Sequence, residues 1–142
     1  MNSLNIDYNK AALVIIDLQK GIVKMAPGSK QVVEKTTLLV QHFRKKDGFI
    51  AFVNVDYLDG KDNLKPLTDN ETTSRGTLPE DWAEFVPELG VVTSDYTVTK
   101  RQWGAFYGTD LDIQLRRRGI DTIVLCGIAT NIGVEMTARE AF

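Results

Sequence analysis

The run Val124-Leu125-Cys126-Gly127-Ile128-Ala129-Thr130-Asn131-Ile132-Gly133-Val134-Glu135 decides the fold. Its first residues are apolar and read as a buried strand. Gly127 marks a tight turn, and the residues after it read as the first turn of a helix. Strand, turn and helix in immediate succession form the unit from which α/β sheets are built.

Working outward, the same alternation fills the chain. Residues 11–16 are a continuous apolar run and read as a strand buried on both faces. Residues 30–46 carry Val32, Val33, Thr36, Leu39, Val40 and Phe43 at helical spacing. Asp47-Gly48 should stop that helix, with the glycine as its left-handed cap. A second strand is expected over 49–55 and a third over 96–99. Between them, 57–77 reads as a long surface loop and 78–89 as holding one short helical turn. A helix is expected over 109–118, with Thr109 as N-cap and Gly119 just past its end. The fourth strand is 122–126, and 131–142 should be helical, with Glu135 and Arg139 one turn apart. The order implies an α/β fold with a parallel sheet.

Composition narrows the function. With 142 residues, 43% hydrophobic and 25% charged, the chain fits one ordinary globular domain. A formal net charge of −2 argues against nucleic acid as a partner. The longest uninterrupted apolar run, 11–16, is too short to span a bilayer, and the first five residues do not read as a signal peptide. One cysteine rules out an internal disulfide and suggests a reducing compartment, so a cytoplasmic location is expected. One histidine, His42, rules out a His-pair metal motif.

Ligands of open parallel sheets bind beyond the carboxyl ends of the strands. At those ends stand Asp17, Lys100 and the glycine turn leading to Gly133. Apolar walls around Asp17 would raise its pKa and suit a general acid, whereas a close Lys100 would oppose that shift. Gly133 offers backbone N–H groups to an anion and lets a substrate approach closely. The plainer alternatives are that Asp17 caps a turn, Lys100 is solvated and Gly133 is small for packing. Trp103 and Phe106 either wall the pocket or join the core. Cys126 reads as buried and inert, and His42 and Arg116-Arg117-Arg118 as solvated.

Three motifs, Leu13-Val14-Ile15-Ile16-Asp17-Leu18-Gln19, Lys100-Arg101-Gln102-Trp103-Gly104-Ala105-Phe106 with Thr109 and Leu111, and Cys126 to Gly133, occur in this order. Together they resemble the isochorismatase-like (cysteine hydrolase) superfamily over nearly the whole chain. The resemblance implies a Rossmann-like three-layer α/β/α sandwich around a six-stranded parallel sheet. It implies one domain over 1–142 that lacks a final strand and helix. The superfamily's Asp-Lys-Cys triad maps onto Asp17, Lys100 and Gly133, where no thiol stands. The resemblance also implies a cis peptide between Ile128 and Ala129. Gln19, Trp103, Phe106, Ile128, Ala129 and Thr130 are the implied substrate-binding positions.

Ala129-Thr130-Asn131 is similar to an amidase loop, whereas glycine at 133 is similar to true isochorismatases. Those enzymes hydrolyse a vinyl ether by general-acid catalysis without a covalent intermediate. Arg75, Arg101 and Lys100 are the candidate partners for the carboxylates of isochorismate. The resemblance thus implies an ether-bond hydrolase acting on isochorismate or a similar small molecule, with no metal or cofactor. The alternatives are hydrolysis of a small amide or carbonyl substrate by Asp17-activated water, or a catalytically silent ligand-binding member. A homo-oligomer, dimer or tetramer, is implied as well.

Overall fold

In a computed structural model, residues 5–65, 67 and 77–142 are described. Four strands, β1 (Ala11–Ile16), β2 (Phe49–Val55), β3 (Tyr96–Lys100) and β4 (Thr122–Gly127), form one parallel sheet in the order β3-β2-β1-β4. The resemblance implied six strands; four are present among the described residues.

Strand β1 runs through the middle and is buried along its whole length. Its side chains alternate between two cores, as the strand period of two requires. Leu13 and Ile15 join the core formed with Val33, Val40 and Phe43 of α2 (Ser29–Lys45). Ala12, Val14 and Ile16 join the core formed with Leu111 and Leu115 of α3 (Leu111–Arg117). Helices therefore cover both faces, which gives the expected three layers and explains why β1 reads as an unbroken apolar run. The apolar face read for the long helix is the packed one: Val32 and Leu39 also lie against the first core.

Some local expectations are corrected. The left-handed residue ending α2 is Asp47 (φ 52°), not Gly48. Aspartate tolerates that conformation. Glycine is needed at 48 for space, because a Cβ there would lie 2.7 Å from Phe43 Cδ1. Helix α3 begins two residues later than expected, at Leu111. Thr109 is not its N-cap; its hydroxyl donates to the Ala105 carbonyl at 2.6 Å and accepts from the Leu111 N–H at 3.3 Å. A short helix, α1 (Lys20–Met25), follows β1 where none was expected. The C-terminal helix is divided into a wide turn, Thr130–Val134, and α4 (Glu135–Ala141). The Glu135–Arg139 pair forms on α4 at 2.6 Å.

Much of the long segment between β2 and β3 returns to β1. The Leu18 carbonyl accepts from the Val86 N–H, and the Glu84 and Trp82 carbonyls accept from the Lys20 and Gly21 N–H groups. Residues 82–86 thus lie antiparallel beside 18–21, with a bridge between Gln19 and Phe85. One 3-10 turn, Pro87–Leu89, falls in the stretch where a short helical turn was expected. No helix among the described residues is long and apolar enough to cross a membrane.

Candidate active site

The carboxyl ends of β1, β3 and β4 meet as the topology requires. Asp17, just past β1, adopts φ 56°, and its N–H donates to the Val53 carbonyl at 2.8 Å. Lys100 ends β3 in register with Val55. Its Nζ donates to Asp17 Oδ2 at 2.8 Å and to the Gln102 carbonyl at 3.0 Å. Both residues are buried, Lys100 to 2% exposure. A tightly buried ion pair of this kind is a poor source of stability, because desolvation offsets the attraction.

Burial dominates at Asp17. It pushes the carboxyl up to about 6, against the opposing pull of the Lys100 ammonium and its hydrogen bond. Near neutrality Asp17 therefore takes up a proton more readily than an exposed carboxyl does. The second oxygen, Oδ1, is buried and has no hydrogen-bond partner among the described residues. Buried polar atoms are nearly always paired, so an orphan carboxylate oxygen beside a cavity marks a place for a ligand atom.

The turn after β4 supplies the third element. Gly127 has φ 135°, and a Cβ there would lie 2.0 Å from the Ile16 carbonyl oxygen. Only glycine lets β4 end this close to β1. The Ile128–Ala129 peptide is cis, as the resemblance implied. Gly133 is buried, and a Cβ built on it would meet Ile16 Cγ2 at 3.0 Å, Asp17 Oδ2 at 3.1 Å and the Trp103 carbonyl oxygen at 3.3 Å. A side chain at 133 would sit directly against the acid. The expected anion-binding N–H patch is smaller than foreseen: the Ile132 and Val134 N–H groups both donate to the Ala129 carbonyl.

A cavity of about 290 Å³ opens here, lined by Asp17, Lys100, Gly133, Trp103, Ile128 and Ala129 among others. Six of the nine expected site residues are thus brought together. Three are not. Gln19 is fully buried, and its amide is committed to backbone: Nε2 donates to the Val55 and Trp82 carbonyls, and Oε1 accepts from the Val55 N–H. Phe106 packs against the second core, and Thr130 is exposed where the wide turn begins. Arg101 lies 3.9 Å from Asp62, and Arg75 falls outside the described residues.

Sequence reading missed Tyr57, Trp82, Ile22, Met25 and Ile132, which also line the cavity. Trp82 arrives on the returning segment, so its position depends on a contact between residues far apart in the chain. Cys126 is half-buried, its Sγ accepts a hydrogen bond from the Thr36 hydroxyl at 3.7 Å, and burial pushes its thiol up. It does not line this cavity.

Residues 11–142 match the isochorismatase domain model. The chain belongs to the isochorismatase family. An uncharacterized family member from Bacillus subtilis, YwoC, is 70% identical over 143 residues, covering 100% of this chain and 75% of its own. The solved structure of an isochorismatase family protein from Burkholderia thailandensis superposes with a TM-score of 0.85 at 52% identity, over 98% of this chain and 73% of that one. N-carbamoylsarcosine amidase from Thermoplasma acidophilum aligns with a TM-score of 0.78 at 29% identity, over 93% and 75% of the two chains. The α/β fold and membership of this hydrolase family are therefore established together.

Proposed function

We propose that this isochorismatase-family hydrolase cleaves a small vinyl ether, isochorismate or a close analogue, by general-acid catalysis at Asp17 without a covalent enzyme intermediate. The orphan Oδ1 of Asp17 carries this reading. A carboxyl raised to about 6 holds a proton more readily than an exposed one, and Asp17 lines the cavity where Gly133 leaves room for the reacting group.

In that reaction Asp17 transfers a proton to the methylene carbon of the enolpyruvyl group. The double-bond electrons form the new C–H bond, leaving an oxocarbenium ion. Water adds to the cationic carbon, and the hemiketal loses the ring alcohol to give pyruvate. Lys100 stays bonded to Oδ2 and stabilises the carboxylate left behind, at 2.8 Å. A buried ammonium is stronger in this role than an exposed one, because the local dielectric is low.

The likeness to N-carbamoylsarcosine amidase supports a second reading, hydrolysis of a small amide by water that ionised Asp17 deprotonates. The two differ in the protonation state they require. As an acid, Asp17 works when protonated, so kcat/KM should be level below about pH 6 and fall tenfold per unit above it. As a base it requires the opposite slope. Pyruvate release from isochorismate, followed across this range, tests the acid reading. No pyruvate release would overturn the vinyl-ether reading, and a rate rising with pH would overturn the acid role.

A further inference from the structure

We infer that Thr137 and Glu140 of α4 are positioning residues for the acid–lysine pair: they fix the stretch 102–106, and that stretch keeps the Lys100 ammonium on Asp17. The inference rests on the proposed function only in taking Asp17 as the reacting acid.

The stretch after β3 needs such support. Residues 101–106 belong to no helix or strand. Yet the Gln102 carbonyl accepts from Lys100 Nζ at 3.0 Å, and Trp103 lines the cavity. The ammonium is thus held between two acceptors, one on Asp17 and one on this stretch. An irregular backbone keeps a carbonyl in place only where its own polar groups have partners.

Helix α4 supplies those partners. Thr137 is fully buried, and its hydroxyl donates to the Gly133 carbonyl at 2.7 Å and accepts from the Ala105 N–H at 3.2 Å. One side chain therefore ties the stretch to the residue that faces Asp17. Glu140, one turn further along α4, accepts from the Phe106 N–H at 2.9 Å through Oε2. Its carboxylate lies against Gly104, where a Cβ would overlap it. Glycine at 104 is what admits the carboxylate to the backbone. A backbone N–H bonded to a carboxylate is held more strongly than one bonded to a neutral carbonyl. Arg139, beside Glu140 in the chain, is paired with Glu135.

The contacts run from α4 through Phe106 and Ala105 to the Gln102 carbonyl, and from there to Lys100 and Asp17. Freeing the stretch withdraws the Gln102 carbonyl and lets the ammonium drift from Oδ2. The pull that holds the Asp17 carboxyl down then weakens, so Asp17 should titrate at higher pH. Loss of the Glu140 charge acting through space has the opposite sign, because removing an anion favours ionised Asp17. The direction of the change therefore separates positioning from long-range electrostatics. The other groups to weigh are few. Lys100 is the one charged partner of Asp17 in the cavity lining among the described residues, and Tyr57 is the further titratable group there. Arg101 lies beside Asp62, and Lys65 lines the neighbouring hollow with Glu140.

The test titrates the Asp17 carboxyl by ¹³C NMR in aspartate-labelled protein, with Asp17→Asn assigning the signal. Glu140→Ala and Thr137→Val should each raise the midpoint by roughly 0.5–1 pH unit, part of the 1–3 that an adjacent cation supplies. The falling limb of the pH–rate profile should move with it. Glu140→Gln and Thr137→Ser keep an acceptor for the same N–H and should leave the midpoint in place. With Lys100→Met already present, Glu140→Ala should add no further rise. Glu140 is only half-buried, so its arm stands even where Thr137→Val fails to fold. A midpoint unmoved or lowered in folded Glu140→Ala overturns the inference. So does a rise as large in Glu140→Gln, or an added rise in the double variant. The titration reads the acid directly and needs no substrate. A raised midpoint without pyruvate release would sink the proposed reaction and leave the positioning role standing; pyruvate release with an unmoved midpoint would do the reverse.

Discussion

The two ends of the sheet make an instructive pair. At the amino ends of the strands lies the larger hollow, about 480 Å³, bordered by Arg44, Asp95, Tyr96 and Arg118. Its polar groups answer one another: Arg44 pairs with Asp95, the Tyr96 hydroxyl donates to Asp110 at 2.7 Å, and Arg118 covers the Phe49 ring at 4.3 Å. At the carboxyl ends lies the smaller cavity, yet there a buried carboxyl oxygen has no partner among the described residues and an acid is held near neutrality. The proposed chemistry therefore rests on the buried acid of the smaller cavity and not on size.

The contrast can be broken most sharply at Asp17. Asp17→Asn keeps the shape of the site and removes the transferable proton, so turnover should drop by about 10²–10⁴-fold in a pyruvate-release assay. Activity retained in that variant would remove the distinction between the two ends. Lys100→Met takes away the group that holds the Asp17 pKa down, so the falling limb of the pH–rate profile should move above 6. A limb that stays in place would mean that another group sets the profile.

Gly127→Ala probes the backbone beneath the site. The added Cβ meets the Ile16 carbonyl in a conformation that disfavours L-residues, and the loss should be about 1–3 kcal/mol in urea denaturation. Smallest of all should be Arg44→Ala in the larger hollow. It removes one partly exposed pair, changes stability by about 1 kcal/mol and leaves turnover within roughly twofold. A strong loss of turnover there would reassign the chemistry to the other end.

Much of this was legible in the chain. The span of β1 follows from an uninterrupted apolar run and most of β2 from Phe49 to Val53, because strands covered on both faces leave no polar alternation. The meeting of Asp17, Lys100 and Gly133 follows from strand ends in a parallel sheet. Other features depend on contacts that no local pattern carries. Helix α1 has no side-chain cap and holds a glycine, so neither propensity nor capping announces it. Gln19 lies two residues from the acid, and the resemblance implied a substrate contact. Its amide is needed instead by backbone 36 and 63 residues away. Trp82 sits among prolines and acids in a stretch that read as one short helical turn, and only the antiparallel return along 18–21 brings it to the cavity.

The backbone at residue 133 lies outside the left-handed region, so its bareness is a matter of room and not of chain geometry. A small side chain would need its neighbours to yield by only a few tenths of an ångström. Some glycine and cysteine codons differ by a single base. Where a GGT or GGC codon encodes Gly133, one base change would put a cysteine Cβ beside Asp17, so a site without a thiol and one with a thiol would be neighbours for an evolving gene.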